Sequence, residues 1–154
     1  MVMAALMAAL TCVATLAFQI PLPGSGYVHL GDAAVLISGW LLGPVYGAIA
    51  AGLGSMLADV FSGYLIYAPA TLIIKALSAL LAGICLKKIS FPALLLSGLC
   101  GGIIVPIGYF LYEIVLLGFS TALIDVVGIA LKEVICLVVA IFLMLALNKT
   151  RLFK

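Results

Sequence analysis

Six apolar runs, approximately 1–20, 31–43, 45–62, 66–86, 91–116 and 121–147, make up most of this 154-residue chain, and only short polar or Gly/Pro breaks separate them. A helix crossing the hydrocarbon core of a bilayer needs roughly 20 mostly apolar residues. Runs of this length with so little between them predict an all-α integral membrane protein, a single domain over 1–154 built as a bundle of about six transmembrane helices. Composition agrees: the chain is 68% hydrophobic and 8% charged, where soluble domains are about half apolar and about a quarter charged. No stretch is left for a separate soluble domain. The run 31–43 is short for a perpendicular crossing and is divided from the next by Gly43-Pro44, so it either spans or re-enters. The opening run has no basic segment ahead of it and reads as a retained span rather than a cleaved signal peptide.

Charge placement orients the bundle. Five of the seven cations, Lys87, Lys88, Lys149, Arg151 and Lys154, fall in two polar breaks, and basic loops favour the cytoplasmic side. Two spans between those breaks keep both on one side. Six spans then put the N- and C-termini in the cytoplasm and the 21–30, 62–66 and 117–121 connections outside; five spans would move the N-terminus out. The net charge of +2 is too small to suggest nucleic acid as a partner. Cys12, Cys85, Cys100 and Cys136 stand singly in apolar stretches, without disulfide or metal spacing.

The remaining charges, Lys75, Lys132, Asp32, Asp59, Glu113, Asp125 and Glu133, lie in or beside apolar runs. A charge facing lipid at the bilayer centre costs at least about 2.5–3.5 kcal/mol, so such groups turn into the bundle, pair, or line a binding site. By the six-span count Asp32, Asp59, Glu113 and Asp125 fall toward the outer face, Asp32 and Asp125 close enough to the surface for capping or solvation to account for them. Lys75 lies roughly 12 Å below the outer end of its run at 1.5 Å per residue, within reach of Asp59, so an Asp59–Lys75 pair is expected, either structural or part of a ligand site. Tyr109, Tyr112 and Glu113 share one helix face at i, i+3, i+4, which suits a ring-bearing polar ligand or an aromatic belt at the headgroups. Asp125 and Lys132 share a stripe, while Glu133 is rotated by about 100° from Lys132, so the two are expected to meet different neighbours. His29 and Asp32 enter the second run, with helix capping a competing role for Asp32; Tyr64 and Tyr67 crowd the next outer connection. Polar and aromatic groups therefore gather in the outer half. Small residues four apart, Gly47/Ala51, Ala48/Gly52, Ala50/Gly54 and Gly54/Ala58, mark the third run as central in the packing. Ala4/Ala8 and Ala5/Ala9 repeat the pattern in the first run, for packing within the chain or for docking another membrane subunit.

The stretch Gly26–Gly83 carries His29-Leu30-Gly31-Asp32, Leu42-Gly43-Pro44, Gly52-Leu53-Gly54-Ser55, Ala58-Asp59, Gly63-Tyr64 and Tyr67-Ala68-Pro69-Ala70-Thr71, followed by Lys75. It resembles the core of substrate-binding S components of energy-coupling factor (ECF) transporters, in particular the hydroxymethylpyrimidine or pyridoxine group. The resemblance implies a six-helix, multi-pass subunit in the bacterial cytoplasmic membrane. It would bind a small water-soluble vitamin or precursor from outside, without cofactor, metal or enzymatic activity. It also implies partners, a transmembrane coupling subunit and two cytoplasmic ATPases, with Ala4, Ala5, Ala8 and Ala9 contacting the coupling subunit. The chain has no GxxxxGK[ST] phosphate loop of its own. Where relatives often carry Asn and Gln early in the sixth helix, this chain has Ile129 and Lys132. The expected substrate-binding set is His29, Asp32, Asp59, Tyr64, Tyr67, Lys75, Tyr109, Tyr112, Glu113 and Lys132. A stand-alone proton-coupled secondary transporter using Asp59 or Glu133 is the alternative; with no metal-ligand pair or Ser/His/Asp set, an enzyme is not expected.

Overall fold

The computed structural model describes residues 1–17, 19–21 and 27–149, so Arg151 and Lys154 of the basic tail and Pro23 and Gly26 of the outer connection lie outside the described residues. The elements run α1 (Val2–Ala17), a short antiparallel pair β1 (Ile20–Pro21) and β2 (Tyr27–Val28), α2 (Gly31–Phe61), α3 (Ala68–Cys85), α4 (Phe91–Gly102), α5 (Ile104–Leu117) and α6 (Phe119–Lys149). Four stretches are long and apolar enough to cross a membrane: Gly31–Phe61, Ala68–Cys85, Phe91–Leu117 and Phe119–Lys149. At 16 residues α1 is shorter.

The helices depart from the expected runs in two places, each for a local reason. The runs 31–43 and 45–62 are two arms of α2, which breaks at Gly43 with φ 76° and ψ 177°. Glycine tolerates that backbone conformation and Pro44 cannot donate across the break. The arms double back on one another: a Cβ at Gly47 would lie 2.6 Å from the Gly39 Cα, and Val35 packs with Ala51 and Ala79. Pairing of 39 with 47 and of 35 with 51 is the register of an antiparallel hairpin centred on residue 43. The run 91–116 is divided at Ile103 into α4 and α5. Pro106 lacks the N–H that would bond the Gly102 carbonyl four residues back, which opens the ladder there.

Close backbone contact holds the hairpin at the centre, as its small residues predicted. A Cβ at Gly52 would meet the Leu72 carbonyl at 2.8 Å and one at Gly101 the Ser78 carbonyl at 2.6 Å, while Gly54 seats directly against the Ala8 carbonyl. Helices in lipid gain little from apolar burial and rely on this approach of backbones. Three buried hydroxyls bond within their own helices: Thr11 donates to the Met7 carbonyl and Thr15 to the Thr11 carbonyl, both at 2.8 Å, and Ser38 to the Ala34 carbonyl at 2.7 Å. Trp40 Nε1 donates to Ser97 Oγ at 2.7 Å, and Ser97 passes the bond on to the Ala82 carbonyl at 2.7 Å, tying α2, α4 and α3 together. Of the two alanine pairs in α1, Ala4 and Ala8 pack against the core, whereas Ala5 and Ala9 are exposed.

Candidate functional site

Four ionic side chains meet inside the bundle. Asp32, in the first turn of α2, takes Lys75 of α3 on Oδ1 and Lys132 of α6 on Oδ2, the latter at 2.5 Å. Glu133 lies 3.4 Å from Lys132 and also faces Asp32. All four are buried, Lys75 completely. At their formal charges, two ammoniums face two carboxylates. Lys132 stands 13 residues from the start of the 31-residue α6, about 20 Å along its axis, so the cluster sits in the middle third of that helix. The chain reaches this depth because α2 begins there. His29 Nδ1 accepts the Gly31 N–H at 3.0 Å, and the His29 carbonyl accepts Cys136 Sγ of α6 at 3.5 Å, which holds the entry to α2 against α6.

Three expectations are corrected by this geometry. Lys75 pairs with Asp32, not Asp59, because Asp59 lies near the far end of the second arm of α2 while Asp32 starts the first. Asp32 is neither a surface residue nor a cap: it is 1% exposed, and the N-cap position is Leu30, with no side-chain capping bond. Lys132 and Glu133, although a helical step apart, meet the same neighbour, since long side chains converge on Asp32 from either side of the α6 face.

A second group lies toward the end where α2 joins α3 and α5 joins α6. The Tyr67 ring is surrounded by Tyr64 and Tyr109, each with centroids 6.4 Å away, and by Tyr112 at 5.8 Å. The i, i+3, i+4 face of α5 is thus formed as expected. Tyr109 bonds Thr71 through the phenol at 2.7 Å, and Lys75 Nζ stands 5.2 Å from its ring centroid, a cation–π contact that joins the two groups. The Tyr112 phenol donates to the Ile66 carbonyl. Glu113, 1% exposed, faces the Tyr67 phenol and Asp125, and Asp59 lies within electrostatic reach of Tyr109.

The ten expected binding residues accordingly divide into two connected groups: His29, Asp32, Lys75 and Lys132 at mid-depth, and Asp59, Tyr64, Tyr67, Tyr109, Tyr112 and Glu113 nearer the end. Glu133, Cys136, Thr71 and Asp125 were not in the expected set. For Cys136 a signal existed, its i+4 spacing from Lys132 on one helix face. For Glu133 and Thr71 only the fold decides. Among the described residues no group of His, Cys, Asp and Glu is arranged to hold a metal ion.

The fold has counterparts among solved structures. An S component for biotin from an ECF-type ABC transporter aligns with a TM-score of 0.66 at 23% identity, covering 92% of this chain and 88% of that one. An S component of a bacterial ECF transporter aligns with a TM-score of 0.66 at 21% identity, covering 97% and 92%. A Pyrococcus woesei protein described as an uncharacterized protein in a gap 3' region is 38% identical over 108 residues, 69% of this chain and 72% of its own length. The family model described as ECF-type riboflavin transporter, S component, matches residues 1–149, and the chain therefore belongs to the S components of ECF-type transporters, membrane proteins of vitamin uptake that bind substrate and are not enzymes.

Proposed function

We propose that this chain is the substrate-binding subunit of an ATP-driven ECF importer for a small, ring-containing, water-soluble vitamin or precursor, with a pyridoxine-like or hydroxymethylpyrimidine-like compound favoured. One observation carries the reading: a buried ion cluster adjoins a four-tyrosine group toward one end of an apolar bundle. Tyrosine faces offer flat apolar walls to a ring, while Asp32, Lys75, Lys132 and Glu113 offer donors and acceptors whose mispairing would reject a wrong ring. Related proteins are described for riboflavin and for biotin, both ring compounds. The pyridoxine or pyrimidine preference rests on the sequence resemblance and on the charge balance. Both interior lysines are already matched by Asp32 and Glu133, so an anionic ligand finds no spare cation.

In this reading the chain crosses the bacterial cytoplasmic membrane six times, as α1, the two arms of α2, α3, α4 with α5, and α6. Both termini and the Lys87-Lys88 segment are cytoplasmic and the tyrosine end faces outward. Its partners are the vitamin, the lipid bilayer, a transmembrane coupling subunit and two cytoplasmic ATPases, with the exposed Ala5 and Ala9 on the face of α1 that meets the coupling subunit.

The test is mass spectrometry of small molecules released from the detergent-purified, undialysed protein, together with uptake by the chain reconstituted alone or with the coupling module and ATP. A co-purified ring vitamin and uptake that requires ATP are expected. Proton-driven uptake by the chain alone would overturn the importer reading in favour of a secondary transporter.

A further inference from the structure

Every exposed charged side chain among the described residues is a lysine. The acids of the chain are Asp32, Asp59, Glu113, Asp125 and Glu133, and all of them are buried in the bundle. Lys87, Lys88 and Lys149 are exposed, so no acidic side chain of the sequence is left on the surface to face them. The three stand at one end of the bundle. Lys87 and Lys88 fill the connection between Cys85, the last residue of α3, and Phe91, the first of α4, and Lys149 is the last residue of α6. Leu86, immediately before the first pair, and Leu145, one turn before Lys149, pack on the same core cluster, which brings the two segments to the same side.

Depth and neighbours point to what these lysines meet. α3 has 18 residues, about 27 Å at 1.5 Å per residue, close to the roughly 30 Å of a bilayer's hydrocarbon core. Lys87 and Lys88, just past its end, therefore come level with lipid headgroups. The side chains flanking them are apolar and exposed, Ile84 before the pair and Ile89 and Phe91 after it. Lysine stems lie along apolar surface while their ammoniums reach for a polar layer. A lipid carries both chemistries in one molecule, whereas an acidic protein surface answers the ammoniums and leaves Ile89 and Phe91 unmatched.

We propose that Lys87 and Lys88, with Lys149 at the same end, form a binding site for anionic phospholipid headgroups. The ammoniums meet the lipid phosphate, and Ile84, Ile89 and Phe91 meet the acyl chains beside it. The site is separate from the vitamin-binding groups, and neither depends on the other.

The test is native mass spectrometry of the full chain, purified in detergent and loaded with an equimolar mixture of phosphatidylglycerol and phosphatidylcholine of matched acyl chains. Phosphatidylglycerol is expected to be retained over phosphatidylcholine by about tenfold or more, from a gain of about fivefold for each lysine near an anionic surface, and the preference should shrink as salt is raised. The double substitution Lys87→Gln/Lys88→Gln should abolish it, Lys87→Arg/Lys88→Arg should keep it, and Lys149→Gln should weaken it least. Thermal unfolding of each variant shows that the fold is intact. Equal retention of the two lipids, or a preference that survives in the folded double glutamine variant, overturns the site. Inorganic phosphate displacing phosphatidylglycerol at equal concentration overturns the lipid as its source. No lipid preference, together with loss of ATP-driven uptake in the double glutamine variant reconstituted with the coupling module, also overturns it and assigns the lysines to an acidic protein partner.

Discussion

The mid-depth cluster and the tyrosine end use the same kinds of charged residue in opposite ways. Around Asp32 each charge is answered by another from the same chain, and the answers come from three helices: Asp32 from α2, Lys75 from α3, Lys132 and Glu133 from α6. Such a network costs several kcal/mol per ion in desolvation, recovered only while its members stay together. Its value lies in register, since it pins the deep start of α2 to α3 and α6. At the tyrosine end Asp59, Glu113 and Asp125 come from three helices, Lys75 reaches the Tyr109 ring from the cluster side, and the rings are held by hydrogen bonds such as Thr71–Tyr109.

The sharpest way to break this contrast is at Asp32. Asp32→Asn leaves Lys75 and Lys132 facing each other with only Glu133 between them, and should destabilise the protein by about 3–5 kcal/mol, read as a large drop in the thermal midpoint in detergent. Adding Lys75→Met to Asp32→Asn leaves Lys132 with Glu133, a neutral pair. The double variant should recover part of the loss, with a coupling of about 0.5–3 kcal/mol; strict additivity would show that the cluster does not act as a unit. A packing change at Gly101→Val forces a branched side chain toward the Ser78 carbonyl, which a Cβ alone would approach to 2.6 Å. That should cost about 1–3 kcal/mol with the ligand preference unchanged. Glu113→Gln at the other end should leave the thermal midpoint unchanged or raised, while lowering affinity for the ligand by about tenfold. Tyr67→Leu is the mildest, removing the central ring of the tyrosine group and about 0.5–1.5 kcal/mol of ring–ring interaction, seen as weaker binding in a folded protein.

Much of this was legible before any coordinates. The break at Gly43-Pro44 was visible because glycine and proline impose backbone geometry locally, and Gly43 does adopt a positive φ. The α5 face of Tyr109, Tyr112 and Glu113 was visible because helical spacing puts those residues side by side. What could not be seen was how deep Asp32 lies. Counting from a presumed helix end placed it near the surface, whereas α2 starts in the bundle interior, with His29 docked on Cys136 by a hydrogen bond. The partner of Lys75 followed the same error. Only the antiparallel folding of the two α2 arms decides which carboxylate comes level with Lys75, and it is Asp32.

By itself, the sequence determined that this chain belongs in a membrane, that a break falls at Gly43-Pro44, and that its apolar runs carry both charges and tyrosines. These follow from composition, periodicity and backbone chemistry, all local properties. The tertiary structure alone decided which charges answer one another. Pairing depends on the relative depth of residues on different helices, and depth is set by where loops dip and how closely glycine faces pack, neither of which is encoded in any one segment.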